Sequence, residues 1–122
     1  MATSSDGLSW QLHSGNPVAS TGDIPWGAGW QTPCVLFDEE ERVYKMWFAS
    51  RTLIDHDADG NCIALETGLG YAESDDGLDW TVDPEPIYDS ARRPWVTKEP
   101  DGSYRMWMCS RPSPDSKWDE LY

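Results

Sequence analysis

The sequence predicts an all-β fold made of about two four-stranded antiparallel β-propeller blades. Two repeats and a strand alternation carry that prediction. Ser4-Ser5-Asp6-Gly7-Leu8-Ser9-Trp10 returns 70 residues later as Ser74-Asp75-Asp76-Gly77-Leu78-Asp79-Trp80. Val43-Tyr44-Lys45-Met46-Trp47-Phe48-Ala49-Ser50-Arg51 returns 60 residues later as Ser103-Tyr104-Arg105-Met106-Trp107-Met108-Cys109-Ser110-Arg111. Interleaved repeats of this length, each holding several short strands, point to a propeller or a related all-β array. Along residues 43–51, Tyr44, Met46 and Phe48 alternate with Lys45, Trp47 and Ala49. Large apolar groups on both sides of a strand imply a sheet covered on both faces.

Taken in order, residues 1–13 read as the end of one strand, an Asp-Gly turn and a strand from Leu8 to Leu12. The residues suit a tight turn, since short polar side chains bond nearby backbone and Gly accepts positive φ. Residues 14–32 hold four Gly, two Pro and two Trp, and read as a long connection. Such stretches are often functional, and Asp23, Trp26 and Trp30 are its chemically interesting members. Residues 33–38 and 43–51 form a hairpin around Asp38-Glu39-Glu40-Glu41, which reads as a solvated acidic turn. Residues 52–67 are an insertion. The strand from Gly68, the second Asp-Gly turn and a strand from Trp80 follow, and Ile87-Tyr88 closes the unit after a Pro-bearing section. Pro94 opens the next unit, as Pro33 opened the first, with its hairpin turn at Pro100-Asp101-Gly102.

The expected organisation is one two-blade unit over residues 1–122. Residues 1–13 end a split blade, 33–90 form a complete one, and 94–122 start the next. Strands left unpaired at each end would be an aggregation liability. The blades are therefore expected to be completed by missing sequence or by oligomerisation, head to tail in a closing ring. Three copies of two blades would give six, so a trimer is the favoured self-association.

Composition narrows the partners. The formal net charge is −13. That argues against nucleic acid and against anionic membrane surfaces, both of which require basic patches. No stretch approaches the ~20 apolar residues of a membrane span. The N-terminus carries neither the basic nor the apolar region of a signal peptide, so a cytoplasmic location is expected. Cys34, Cys62 and Cys109 lack zinc-site spacing and are expected as reduced thiols. One stretch matches a calcium loop. Asp55 to Glu66 fits D-x-D-x-D-G-x5-E, with Asp55, Asp57, Asp59 and Glu66 as candidate Ca²⁺ ligands. Its flanks read as strands, so a solvated hairpin tip is the competing expectation. His13 and His56 form no metal or triad constellation.

Pro-x-Val, Tyr-(Lys/Arg)-Met-Trp, Ser-Arg and Gly-Tyr-Ala-Glu-Ser-x-Asp-Gly-x-x-Trp together resemble the blade repeats of propeller glycosidases. The nearest group is the five-bladed superfamily around glycoside hydrolase families 43, 32, 68 and 130. The likeness covers the chain apart from residues 14–30 and 52–66. It implies carbohydrate binding at a central funnel, with hydrolysis by carboxylates on the innermost strands, here Pro33 to Phe37 and Pro94 to Thr97. Thr32 and Arg93 precede the two prolines, where that resemblance implies an acid. Glycoside hydrolysis requires two carboxyl groups flanking the bond, and Asp23 and Glu99 are the remaining catalytic candidates. Substrate-binding candidates are Trp26, Trp30 and Trp95, whose faces can stack on sugars, and Arg51, Arg92, Arg93 and Arg111, whose forks bond hydroxyls or carboxylates. The resemblance thus implies a glycoside hydrolase-like protein, active when the propeller is complete. The alternatives are a non-catalytic, lectin-like oligomeric module and an orphan propeller piece without activity.

Overall fold

The computed structural model describes residues 1–111 and 121–122, with positions 53, 64 and 65 described by backbone alone. The chain is all-β, with no α-helix among the described residues. Its strands are β1 (Ala2–Thr3), β2 (Gln11–Leu12), β3 (Ala28–Asp38), β4 (Val43–His56), β5 (Cys62–Ser74), β6 (Thr81–Val82), β7 (Ala91–Lys98) and β8 (Tyr104–Ser110). They form an N-terminal hairpin β1–β2, a central antiparallel sheet in the order β3–β4–β5–β6, and a C-terminal hairpin β7–β8.

Both sequence repeats are repeats of structure. β1 and β2 pair through Ala2–Leu12 and Thr3–Gln11. β5 and β6 pair through Ala72–Val82 and Glu73–Thr81, the same register one repeat on. The turns between them share their Ser and Asp hydrogen bonds. Ser4 Oγ accepts from the Asp6 and Gly7 amides at 3.3 and 2.9 Å, and Ser74 Oγ accepts from Asp76 and Gly77 at the same distances. Asp6 Oδ1 accepts from the Leu8 and Ser9 amides, as Asp76 Oδ1 does from Leu78 and Asp79. Gly7 and Gly77 supply φ of 76° and 74°, which only glycine holds without strain.

The second repeat aligns β3–β4 with β7–β8. Val35–Met46, Leu36–Lys45 and Phe37–Tyr44 in the first hairpin correspond to Val96–Met106, Thr97–Arg105 and Lys98–Tyr104 in the second. Each first strand is interrupted just before its proline, at Thr32 with φ of 46° and at Arg93 with φ of 56°.

β4 is covered on both faces, as its alternation predicts. Met46 and Phe48 join Ile24 and Ala72 on one face, where Trp26, Trp30, Trp80 and Val82 pack against them. Ala49 on the other face joins Leu69 and Ala91, with Met106 and Met108 of β8 packed against that cluster. Gly70 permits the first arrangement. A Cβ there would lie 2.5 Å from both Phe48 Cζ and Trp26 Cζ2, so only glycine lets Trp26 stack on Phe48 across the sheet.

Several boundaries differ from expectation. β3 begins at Ala28, inside the stretch expected as a connection, because register shifts between Ala28 and Cys34 let the strand run on through its irregularities. The rest of that connection includes a 3-10 turn, Thr21–Asp23. The expected insertion is instead a continuation of β4 and β5, paired from Leu53–Glu66 to His56–Cys62. The central sheet therefore spans Ala28 to Val82, and Tyr88 bridges back to Leu69. Of the expected third segment, residues 112–120 lie outside the described residues.

Candidate functional site

β3 and β7 lie side by side. The Val96 amide donates to Cys34 Sγ at 3.2 Å, and the Arg93 amide donates to Thr32 Oγ1 at 3.3 Å. The two pre-proline irregularities therefore face each other. Positive φ at a β-branched Thr, and again at Arg93, costs on the order of 1–3 kcal/mol each. Such strain persists where the surroundings over-determine it, which is common at binding sites.

Register brings the predicted arginines to this same end. Arg51 pairs with Ala28 at the start of β3. Arg92 pairs with Cys109, and the Arg111 amide donates to Ser90 O at 2.8 Å. Four of the chain's six arginines thus sit at one end of the two hairpins, in a chain of net charge −13. The side chains of Arg51 and Arg93 are exposed there, while Arg92 and Arg111 are half-buried.

The opposite end carries a cluster that the sequence pattern did not predict. Asp38 is 2% exposed, not part of a solvated turn. Its carboxylate accepts from Lys98 Nζ at 2.8 Å and from the Tyr104 hydroxyl, and Lys45 Nζ lies 3.5 Å away. The amides of Glu40 and Glu41 also donate to it. Lys98 and Tyr104 hold the Asp38 carboxyl far below the usual carboxylate range. Burial would lower the Lys45 ammonium, but Glu41 at 2.8 Å and Tyr104 outweigh it and raise that group well above its ordinary value. This cluster joins the central sheet to β7–β8. A signal for it was in the sequence: Lys45 shares a strand face with Trp47 and Ala49, and a lysine on an apolar face implies a carboxylate beside it.

The remaining candidates are dispersed. Asp23 Oδ2 accepts from the Ser20 amide at 2.5 Å and closes its own 3-10 turn. Glu99 sits at the β7–β8 turn, accepting from Thr97 Oγ1 at 3.1 Å and facing Arg105 Nη2 at 3.5 Å. The two carboxylates are on separate elements, each engaged locally. Trp26 and Trp30 are half-buried and pack against the core: their indole N–H groups donate to Asp83 O and Ser20 O, and both rings lie against Phe48. Trp95 is 66% exposed and pairs across the ladder with Trp107.

The candidate calcium ligands fall on the hairpin between β4 and β5. Asp55 and Glu66 lie on the paired strands β4 and β5, and Asp57 and Asp59 lie in the turn at the hairpin tip. Asp57 Oδ1 already accepts from the Asp59 and Asn61 amides and from Asn61 Nδ2. Among the described residues no group of three or more His, Cys, Asp or Glu is placed to hold a metal ion.

No protein-family model matches the chain, and no curated protein or solved structure matches it.

Proposed function

We propose that this chain is a two-blade propeller unit that binds carbohydrate, without hydrolysing it, at the paired irregularities of β3 and β7. The observation that supports this most is the meeting of two strained pre-proline residues, Thr32 and Arg93, at the end where four arginines gather. In the resemblance to propeller glycosidases, that position on the innermost strands carries the acid. Here a hydroxyl and a guanidinium occupy it. A guanidinium fork bonds paired hydroxyls or a carboxylate, so sugars bearing a carboxylate are the favoured class. Asp23 and Glu99 each serve their own turn, which favours binding over bond cleavage.

A glycan array followed by calorimetric titration tests the reading. Acidic glycans bind, and Arg93→Gln or Arg51→Gln weakens binding about tenfold, equivalent to ~1.4 kcal/mol. Equal affinity in the variants, or no glycan bound at all, counts against it. Turnover of an aryl glycoside by the wild-type chain would replace the lectin-like reading with the hydrolytic one.

A further inference from the structure

The junction between the central sheet and β7–β8 is a template that the chain can use twice. In it, Val96 of β7 meets Cys34 of β3 through its backbone, its amide donating to Cys34 Sγ at 3.2 Å. Tyr104 of β8 donates its hydroxyl to Asp38, and Lys45 lies over the Tyr104 ring, 5.1 Å from its centroid. The two sides of this junction recur elsewhere in the molecule. On the far face of β7–β8, the repeat puts Trp95 at the position of Cys34, Glu99 at that of Asp38 and Arg105 at that of Lys45. Arg105 lies 3.5 Å from Glu99, the distance that separates Lys45 from Asp38. On the far face of β3–β4, Val35 stands where Val96 does and Tyr44 where Tyr104 does.

Both recurring surfaces are open. Val35 is 46% exposed and Trp95 66%. A cavity of about 940 Å³ lies over Val35, Tyr44 and Met46, with Trp30 and Trp80 also in its wall. Met1 and Thr3 line it too, so a hairpin seated there would lie beside β1. Position along the sheet agrees. Cys109 bridges to Leu121 as Ala49 pairs with Leu69, which makes 121–122 the start of a third strand. By the first repeat, β1 corresponds to the later part of that strand.

We propose that the outer face of β7–β8 docks on the Val35–Tyr44 face of a second copy of this chain, head to tail. Tyr44 then donates to Glu99 of the neighbouring copy beneath Arg105, and the neighbour's Trp95 enters the cavity over Val35. Acid, the cation beside it, phenol and valine recur, whereas Phe37 stands where Lys98 pairs with Asp38 and Trp95 where Cys34 meets Val96, so the contact between copies is the more apolar of the two. A head-to-tail contact of this kind closes into a ring when its rotation permits. The inference rests on the two-blade propeller reading but not on carbohydrate binding.

Native mass spectrometry with a complementation design tests it. The wild-type chain forms a discrete closed oligomer, three copies giving six blades. Val35→Glu and Trp95→Glu, both at exposed positions, each give monomers with unaltered circular dichroism. Mixed in equal amounts they give a heterodimer, because each variant keeps the face that the other has lost. A monomeric wild type, as expected if further sequence of a longer chain fills the cavity, overturns the proposal. So does a mixture that stays monomeric, or a single variant that still assembles. Should Val35→Glu fail to fold, Tyr44→Phe takes its place, with at least tenfold weaker assembly expected and unchanged assembly contradicting. A monomer that still binds glycan would sink the docking alone, and an oligomer that binds none would sink the carbohydrate reading alone.

Discussion

Two copies of one turn sit in very different surroundings. Residues 74–82 and 4–12 share the same Ser and Asp hydrogen bonds, the same glycine conformation and the same strand register. Yet Trp80 and Val82 pack on the Met46–Phe48 core, while Trp10 and Leu12 are 62% and 80% exposed. Local bonding alone therefore sets the conformation of this turn. Burial of its apolar residues is a separate matter, decided by whether a full sheet stands beside them.

The largest expected effect separates those two contributions. Trp80→Ala removes a half-buried indole packed against the core and costs on the order of 2–3 kcal/mol. Trp10→Ala leaves the stability of the isolated chain within about 0.5 kcal/mol, as is usual for exposed positions. Urea unfolding at low protein concentration measures both, and equal losses would erase the distinction. A smaller effect sharpens the other half of the comparison. Gly7→Ala and Gly77→Ala impose the same positive-φ strain, about 1 kcal/mol each, because nothing lies within 4 Å of the added Cβ at Gly7 and only ordinary contacts with Tyr44 are met at Gly77. Clearly unequal costs would mean that packing, not local bonding, sets the turn.

The smallest and most distributed effect is in pH. Backbone amides, of Ser9 and Leu8 in one turn and of Asp79 and Leu78 in the other, hold Asp6 and Asp76 below the ordinary carboxylate range. Asp38 is held down by Lys98 and Tyr104. A depressed folded-state pKa contributes stability above the unfolded value, near pH 4, that is lost as pH falls toward the folded value. The Tm is therefore flat near neutrality and drops below about pH 4. Asp38→Asn lowers the neutral Tm and flattens part of that acid slope. An unchanged slope in the variant would remove Asp38 from the account. Lys45 and Lys98, both raised, act at the other extreme. Their contribution is present below about pH 10 and fades as pH rises beyond it.

Much of the fold was legible in the sequence because it is written in periodic terms. The faces of β4, the Asp-Gly turns and the pairing of each Pro-headed strand with its Met-Trp partner all follow from alternation and repeat phase. Departures came from features without such a period. The start of β3 at Ala28 depends on positive φ at Gly29 and Thr32, and a Thr before Pro gives no local sign of it. Asp38 looked like one acid in a run of four; only the meeting of two hairpins reveals that it is buried beneath Lys98 and Tyr104. The placement of Arg51, Arg92, Arg93 and Arg111 at one end of the two hairpins was legible because they fall at matching positions of the repeat. The stacking of Trp26 and Trp30 against Phe48 was not legible, because composition does not say which ring an indole will meet.

Hydrogen exchange read by mass spectrometry on the intact chain, at high protein concentration and after dilution, tests the central claim most directly. If a second copy completes what the first leaves open, peptides covering 1–13, 33–46 and 95–107 gain protection with concentration, while the packed turn at 74–82 exchanges alike in both. Protection in those three segments that does not change with concentration would mean that the open faces stay open, and the head-to-tail account would fall.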